Sequence, residues 1–277
     1  MKIYKETISS RNNPIIKWAA SLSDKKGRDE ARTFIAEGEK LTVEALDSGL
    51  FVSHIFVEDA KFDSEIQRLS KYMSDDRFES TVIYRLSQSA FSKISTEKSP
   101  QGIISAVKYL DFFSDVDIIY KERFCISAAE RAIILCSVRD PGNLGAIIRS
   151  SVAFGVEHII LSGDTVDVYN PKTVRSAMGS LFRVKITRVN DIEGFIDTAK
   201  QSGRRVFAAE LSKSALPLDE VELSRDDLII IGNEGHGIAA EISKVCTGSV
   251  YIPISKKTES LNAAVAAALF MWEQSKI

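Results

Sequence analysis

Histidine and cysteine are scarce in this 277-residue chain, with three of each. Cys125, Cys136 and Cys246 are odd in number and widely spaced. That argues against a disulfide framework and for free thiols in a reducing compartment. His54, His158 and His236 are too few and too scattered to complete a zinc site with them, so no metal is expected. Long apolar runs are missing as well. The longest, residues 263–272, has ten residues, about half of the ~20 that a membrane helix needs. The opening MKIYKETISSRNNP is charged and polar where a signal peptide would carry its apolar stretch. These absences predict a cytoplasmic protein with no membrane segment.

An excess of one charge is also lacking, since 36 Lys+Arg stand against 38 Asp+Glu for a net charge of −2. No coat of basic surface follows from that balance, but the average hides a local bias. Residues 1–32 hold eight Lys/Arg (Lys2, Lys5, Arg11, Lys17, Lys25, Lys26, Arg28, Arg32) and four acids. This is a starting point for polyanion contact, with a solvated helical face as the plainer account. What is present is ordinary globular material, 44% hydrophobic and 27% charged. A chain of this length buries roughly 70–75% of its unfolded surface and forms one or two domains without staples.

Pattern separates two segments. In residues 34–110, helix-like stretches at 39–48, 63–72 and 87–94 alternate with short β-rich runs, HIFVE, TVIYR and GIISAVKYL, which predicts a small α/β/α domain. Residues 1–33 read as a basic helical segment before it, and residues 111–131 as a linker without sustained period. From 132 to 277, AIILCSV, EHIILS, RVKIT, RVFAAEL, DLIIIG and VYIPI read as buried strands. Helices are expected over 144–154, 172–179 and 192–201 and from Leu261. Short buried strands joined by helical crossovers imply a parallel sheet covered on both faces, an α/β fold.

Three turns follow apolar strands: DPGNLG (140–145), GNEGHG (232–237) and PISKKTES (253–260). In an open parallel sheet, ligands collect beyond the carboxyl ends of the strands, where all three turns should lie. The dinucleotide fingerprint G-x-G-x-x-G and the phosphate loop G-x-x-x-x-G-K-[ST] are both absent, which demotes a nucleotide-dependent oxidoreductase or triphosphatase. His236 is the one imidazole near these turns.

Read together, NLGAIIRSSVAFG (143–155), IIIGNEGHGI (229–238) and IPISKKTESLNAAVAAALFMWE (252–273), in this order, closely resemble the three signature motifs of the SpoU/TrmH family of RNA ribose 2′-O-methyltransferases, in the SPOUT superfamily. FIAEGEKLTVEAL (34–46) through QGIISAVK (101–108) more weakly resembles that family's ribosomal-protein-like substrate-binding domain. The resemblance implies a C-terminal SPOUT domain with a deep trefoil knot. It implies S-adenosylmethionine held in a bent shape, with contacts at Gly232, Ile252 and Leu261. It also implies catalytic positions at Asn143, Arg149, Glu234, Ser260 and Asn262, and a homodimer in which the Arg approaches the partner's cofactor pocket. His236 is not required by the family. The implied activity is ribose 2′-O-methylation of RNA, with large-subunit rRNA preferred over tRNA as the substrate. A noncatalytic RNA-binding or ribosome-assembly factor that keeps the fold is the reading from another class. Because arginine stays charged with a pKa above ~12, Arg149 is better suited to anchoring a phosphate and stabilising an oxyanion than to accepting a proton. Ser260 precedes the last helix, which Asn262 opens, so capping is the plainer account of Ser260.

Overall fold

The computed structural model describes residues 1–110, 113–116 and 130–276. Cys125 and most of the expected linker lie outside the described residues. The chain forms two compact units, one of residues 1–110 with 167–182, the other of residues 111–166 with 183–277.

The first unit opens with β1 (Lys2–Ile8), α1 (Pro14–Ser21) and α2 (Lys25–Ala31), so the basic residues 1–33 supply a strand and two helices to it. Asn13 starts α1 by accepting from the Ile15 amide at 3.0 Å, with Pro14 as the first helical residue, where its missing N–H costs nothing. Next come β2 (Thr33–Glu37), α3 (Glu39–Asp47), β3 (Val52–Glu58), α4 (Phe62–Met73), β4 (Val82–Leu86), α5 (Gln88–Ile94) and β5 (Ile103–Lys108). The three helical stretches and three β-rich runs expected over 39–108 are all found. The strands form one mixed sheet in the order β1-β4-β3-β5-β2, parallel on the β1 side and antiparallel at β5.

Residues 167–182 join this unit through one buried charge and a stack of rings. Arg28, 2% exposed, donates from Nη2 to Asp167 Oδ2 at 2.7 Å and from Nη1 to the carbonyls of Leu22 and Ser23. Tyr169 stacks on Phe34 at 4.8 Å and on Tyr109 at 4.0 Å.

The second unit contains β6 (Phe113–Val116), β7 (Ala132–Cys136), α6 (Pro141–Ala153) and β8 (His158–Ser162). The next helix, α7 (Pro171–Ala177), belongs to the first unit. The second unit resumes with β9 (Lys185–Val189), α8 (Ile192–Gln201), β10 (Val206–Ala209), β11 (Leu216–Pro217), β12 (Leu228–Ile231), α9 (Ala240–Val245), β13 (Gly248–Tyr251) and α10 (Ala263–Ser275). Its eight strands run in the order β11-β13-β10-β12-β7-β8-β9-β6, and every pair is parallel. The expected parallel α/β sheet is therefore present. Strand order reverses between β7 and β12, and a crevice opens at such a point beyond the carboxyl ends.

Two helix starts differ from the sequence reading. α6 begins at Pro141, not Leu144, because Asp140 accepts from the Asn143 amide at 2.8 Å and Pro141 fixes the first helical φ; the DPGN turn is the helix's own first turn. α10 begins at Ala263 with Asn262 as its cap. Among the described residues, no helix is long and apolar enough to cross a membrane.

Candidate active site

Loops after β10, β12 and β13, with the start of α10, enclose a cavity of about 550 Å³, within the size range of small-molecule sites. Its apolar wall includes Ile231, Ile252, Leu261, Ala266 and Phe270. Gly232, Ile252 and Leu261, the three expected cofactor contacts, all line it, as do Glu234 and Ser260.

Gly232 is there for packing. A Cβ at this position would lie 2.5 Å from the backbone carbon and oxygen of Gly237, closer than real contacts allow. The loop folds back on itself, with the amides of Asn233 and Gly237 bonded to each other's carbonyls at 2.9 and 3.0 Å, and Gly237 takes φ +67°, a conformation that glycine adopts without strain.

Asn233 organises this loop and was not singled out from the sequence. Its Oδ1 accepts from the Gly235 and His236 amides, and its Nδ2 donates to the Ser137 carbonyl at 2.9 Å. Ser137 itself sits at φ +57° just past β7, so this bond ties the β12 loop to a strained residue beside the strand-order reversal. An Asn beside two glycines is a turn signal, but its bond to Ser137 spans 96 positions and no local pattern shows it.

The expected catalytic positions fall into two groups. Asn143 Nδ2 donates to Glu234 Oε1 at 2.8 Å, and Asn262 Nδ2 donates to Asn143 Oδ1 at 2.9 Å. One residue from each motif thus enters a single hydrogen-bonded chain. Asn262 also accepts from the Ala264 and Val265 amides, which orients its amide group and caps α10 at once. Ser260 lines the cavity, while the capping proposed for it belongs to Asn262. Arg149 stands apart, exposed on α6 and outside both the cavity wall and the Asn143–Glu234–Asn262 chain. Six residues along a helix turn it roughly 120° away from Asn143.

Glu210, at the end of β10, is a second residue the sequence did not flag. It lines the cavity and accepts from Ser243 Oγ and Ser249 Oγ, each at 2.8 Å, so both carboxylate oxygens are fixed. Beside it, burial and the Glu210 charge push the Cys246 thiol up to about 11, and burial also raises Cys136. Both thiols stay protonated at neutral pH, so neither is an activated nucleophile.

A family model described as "SpoU rRNA Methylase family" matches residues 130–272, and one for an MRM3-like substrate-binding domain matches residues 13–105. The chain is 32% identical to the Bacillus subtilis 23S rRNA (guanosine(2553)-2′-O)-methyltransferase RlmP, across 97% of this chain and 98% of that protein. It is 26% identical to the 23S rRNA (uridine(2479)-2′-O)-methyltransferase of Streptomyces viridochromogenes, across 96% and 90%. Among solved structures, the AdoMet-bound rRNA methyltransferase of Sinorhizobium meliloti superposes with a TM-score of 0.80 at 28% identity, covering 99% of this chain and 98% of that one.

Proposed function

Because this chain belongs to the SpoU rRNA methylase family, we infer that it is an S-adenosylmethionine-dependent RNA methyltransferase acting on a ribose 2′-hydroxyl of large-subunit rRNA. The observation that carries the reading is the joining of Asn143, Glu234 and Asn262 in one hydrogen-bonded chain at a cavity lined by Gly232, Ile252 and Leu261. The cavity suits the cofactor in size, in its apolar wall and in the close backbone turn that Gly232 permits. Glu210, with both oxygens already oriented, is placed to accept from hydroxyl or amino groups of a ligand there.

When bound, S-adenosylmethionine supplies an electrophilic methyl group on a sulfonium. The protein's share is to align the attacking oxygen, exclude water and manage the hydroxyl proton. In our reading, the Asn143–Glu234–Asn262 chain fixes the turns around the acceptor ribose. Arg149 holds the neighbouring phosphate and stabilises charge developing on the oxygen. Glu234, Ser260, Asn262 and Arg149 are all exposed in the single chain, and methyl transfer needs a dry cleft. Closure by a second protomer and by the RNA supplies it, with Arg149 reaching the partner's site. A homodimer agrees with the exposed apolar stripe of Val265 and Trp272 on α10, 48% and 47% exposed. The knotted threading, the division into residues 34–110 for substrate and 132–277 for chemistry, and a cytoplasmic location belong to the same proposal.

The test is calorimetric titration with S-adenosylhomocysteine, followed by methylation of large-subunit rRNA from cells lacking the protein. Binding and a single new 2′-O-methyl site are expected. Absence of both would overturn the reading, while binding with methylation of tRNA alone would move the substrate.

A further inference from the structure

The first unit carries a strip of aromatic side chains that the reading above leaves without a task. Strand register sets Tyr4 of β1 opposite Tyr84 of β4, and Tyr84 opposite Phe56 of β3. His54, two positions before Phe56, shares its face. The rings follow one another in series, with centroids 5.6 Å apart for Tyr4 and Tyr84, 5.9 Å for Tyr84 and His54, and 4.8 Å for His54 and Trp18 of α1. Phe56, beside Tyr84 on the same face, is fully buried and belongs to the core with Ile16, Leu86 and Phe91. The other rings are less covered: Tyr4 is 44% exposed, and Trp18, His54 and Tyr84 are half-buried, with Trp18 and Tyr84 packed against the edge of that core.

Three lysines lie near this strip in register or in sequence. Lys2 lies on the same side of β1 as Tyr4, two residues before it, and Lys17 precedes Trp18; both are exposed. Lys108 follows Ala106, the pairing partner of His54, by two positions, and is close enough to disfavour protonation of that imidazole. Glu6 adjoins Tyr4, its carboxylate accepting from the Tyr4 hydroxyl at 3.4 Å, while Asp59, near β1 and β4, is paired with Arg85. A row of rings that is exposed at Tyr4 and half-buried beyond it, with lysines nearby, suits a polyanion that offers flat, unpaired bases, which is single-stranded nucleic acid.

We propose that Tyr4, Tyr84, His54 and Trp18 form the platform on which unpaired bases of the RNA substrate stack, with Lys2, Lys17 and Lys108 following its phosphates. The proposal rests on the RNA reading above and narrows it. The recognised element is a loop or single strand, because a base stacked inside a duplex has no free face to offer.

The test uses the full-length protein and a short labelled uridine-rich oligonucleotide, single-stranded or annealed to its complement. The single strand should bind more tightly than the duplex and should quench Trp18 emission in Trp272→Phe protein, whose one remaining tryptophan is Trp18. Tyr4→Ala, at an exposed ring that no core depends on, should weaken single-strand binding about tenfold, and Tyr4→Ala with Tyr84→Leu about 10²-fold. Lys2→Gln with Lys17→Gln should make the salt dependence shallower. S-adenosylhomocysteine affinity should stay unchanged throughout. Unchanged single-strand affinity in the tyrosine variants would overturn the platform while wild-type methylation kept the RNA reading intact. Failure of the wild-type protein to bind or methylate any RNA would overturn that reading and the platform with it. Equal losses for duplex and single strand would replace base stacking by recognition of backbone shape. Quenching that follows protein concentration without RNA would assign the strip to a second copy of the chain.

Discussion

The two units place their chemistry on different kinds of surface. In the second, an all-parallel sheet presents loops at its carboxyl edge, and side-chain amides (Asn143, Asn233, Asn262) lock those loops to one another. In the first, a mixed sheet sets rings side by side by strand register, with Tyr4 exposed at one end and Tyr84, His54 and Trp18 half-buried. A small cofactor must be held within fractions of an ångström, and a net of short hydrogen bonds does that. Bases of a flexible loop need flat surfaces that tolerate small shifts, and rings do that.

The first unit depends most on residues that come from later in the chain. Arg28→Ala would strand the Asp167 carboxylate, 16% exposed at its side chain, without its cation. Loss of about 3–5 kcal/mol is expected, since removing one member of a buried pair leaves the other uncompensated. Arg28→Lys should restore only part of it, because an ammonium cannot reach the carboxylate and the Leu22 and Ser23 carbonyls in the same fork. Denaturant melts measure both. For the same reason, removing residues 1–109 is no clean test of the site: it would strip Tyr169 and Phe182 of Phe34, and Asp167 of Arg28.

Gly232→Val and Arg149→Ala form the next pair, each of about 10²-fold and each on a different quantity. The valine would drive a Cβ into the Gly237 backbone, so calorimetry should show S-adenosylhomocysteine affinity falling by about 10²-fold or more as the loop is forced open. Arg149 lies outside the cavity wall, so Arg149→Ala should leave that affinity intact and lower single-turnover methyl transfer by about 10²-fold, the expected loss for one transition-state donor. A wild-type rate in Arg149→Ala would return this residue to the class of surface charges.

What was legible in the sequence follows the same division. The short apolar stretches in AIILC and HIILS, now β7 and β8, read as buried strands because turn signals bound them closely, and Asn143, Glu234 and Asn262 were legible only through the resemblance of their three ordered motifs to the SpoU/TrmH signatures. The start of α6 was misread because Pro and Gly in DPGN look like a turn, whereas Asp140 and Pro141 are an N-cap and first residue. β1 was missed because six of its seven residues are exposed, and alternating burial is what marks a strand. The Asn233–Ser137 bond, the Glu210 serine clamp and the Arg28–Asp167 pair join residues 96, 33 or 39, and 139 positions apart. Such pairings exist only after the chain has folded.

The smallest expected effect compares one histidine from each unit. His158, 6% exposed, shares a 2.8 Å hydrogen bond between Nε2 and Thr187 Oγ1 and faces the Glu130 carboxylate, the Lys185 ammonium and the Arg204 guanidinium. Burial holds its pKa below the ordinary value; Glu130 opposes this, but burial is the larger influence. His54 is also lowered, by burial and then by Lys108, though it is only half-buried. In the unfolded chain both imidazoles titrate near ~6.5. As pH falls through that value, the unfolded state takes up protons that the folded state refuses, so stability declines toward acid and is fully present above it. Glu130 is held below the usual carboxylate range, by its bond to Lys185 and the charge of His158 against the opposing pull of burial, and its own loss begins only at lower pH. Melting temperature should therefore drop modestly between about pH 7 and 5.5. His158→Gln should flatten that slope more than His54→Gln does, because the imidazole of the parallel sheet is the more deeply buried. A slope that survives both substitutions would place the acid sensitivity elsewhere. Equal flattening would mean that His54 is as shielded from water as His158, against the partial exposure that the proposed platform requires.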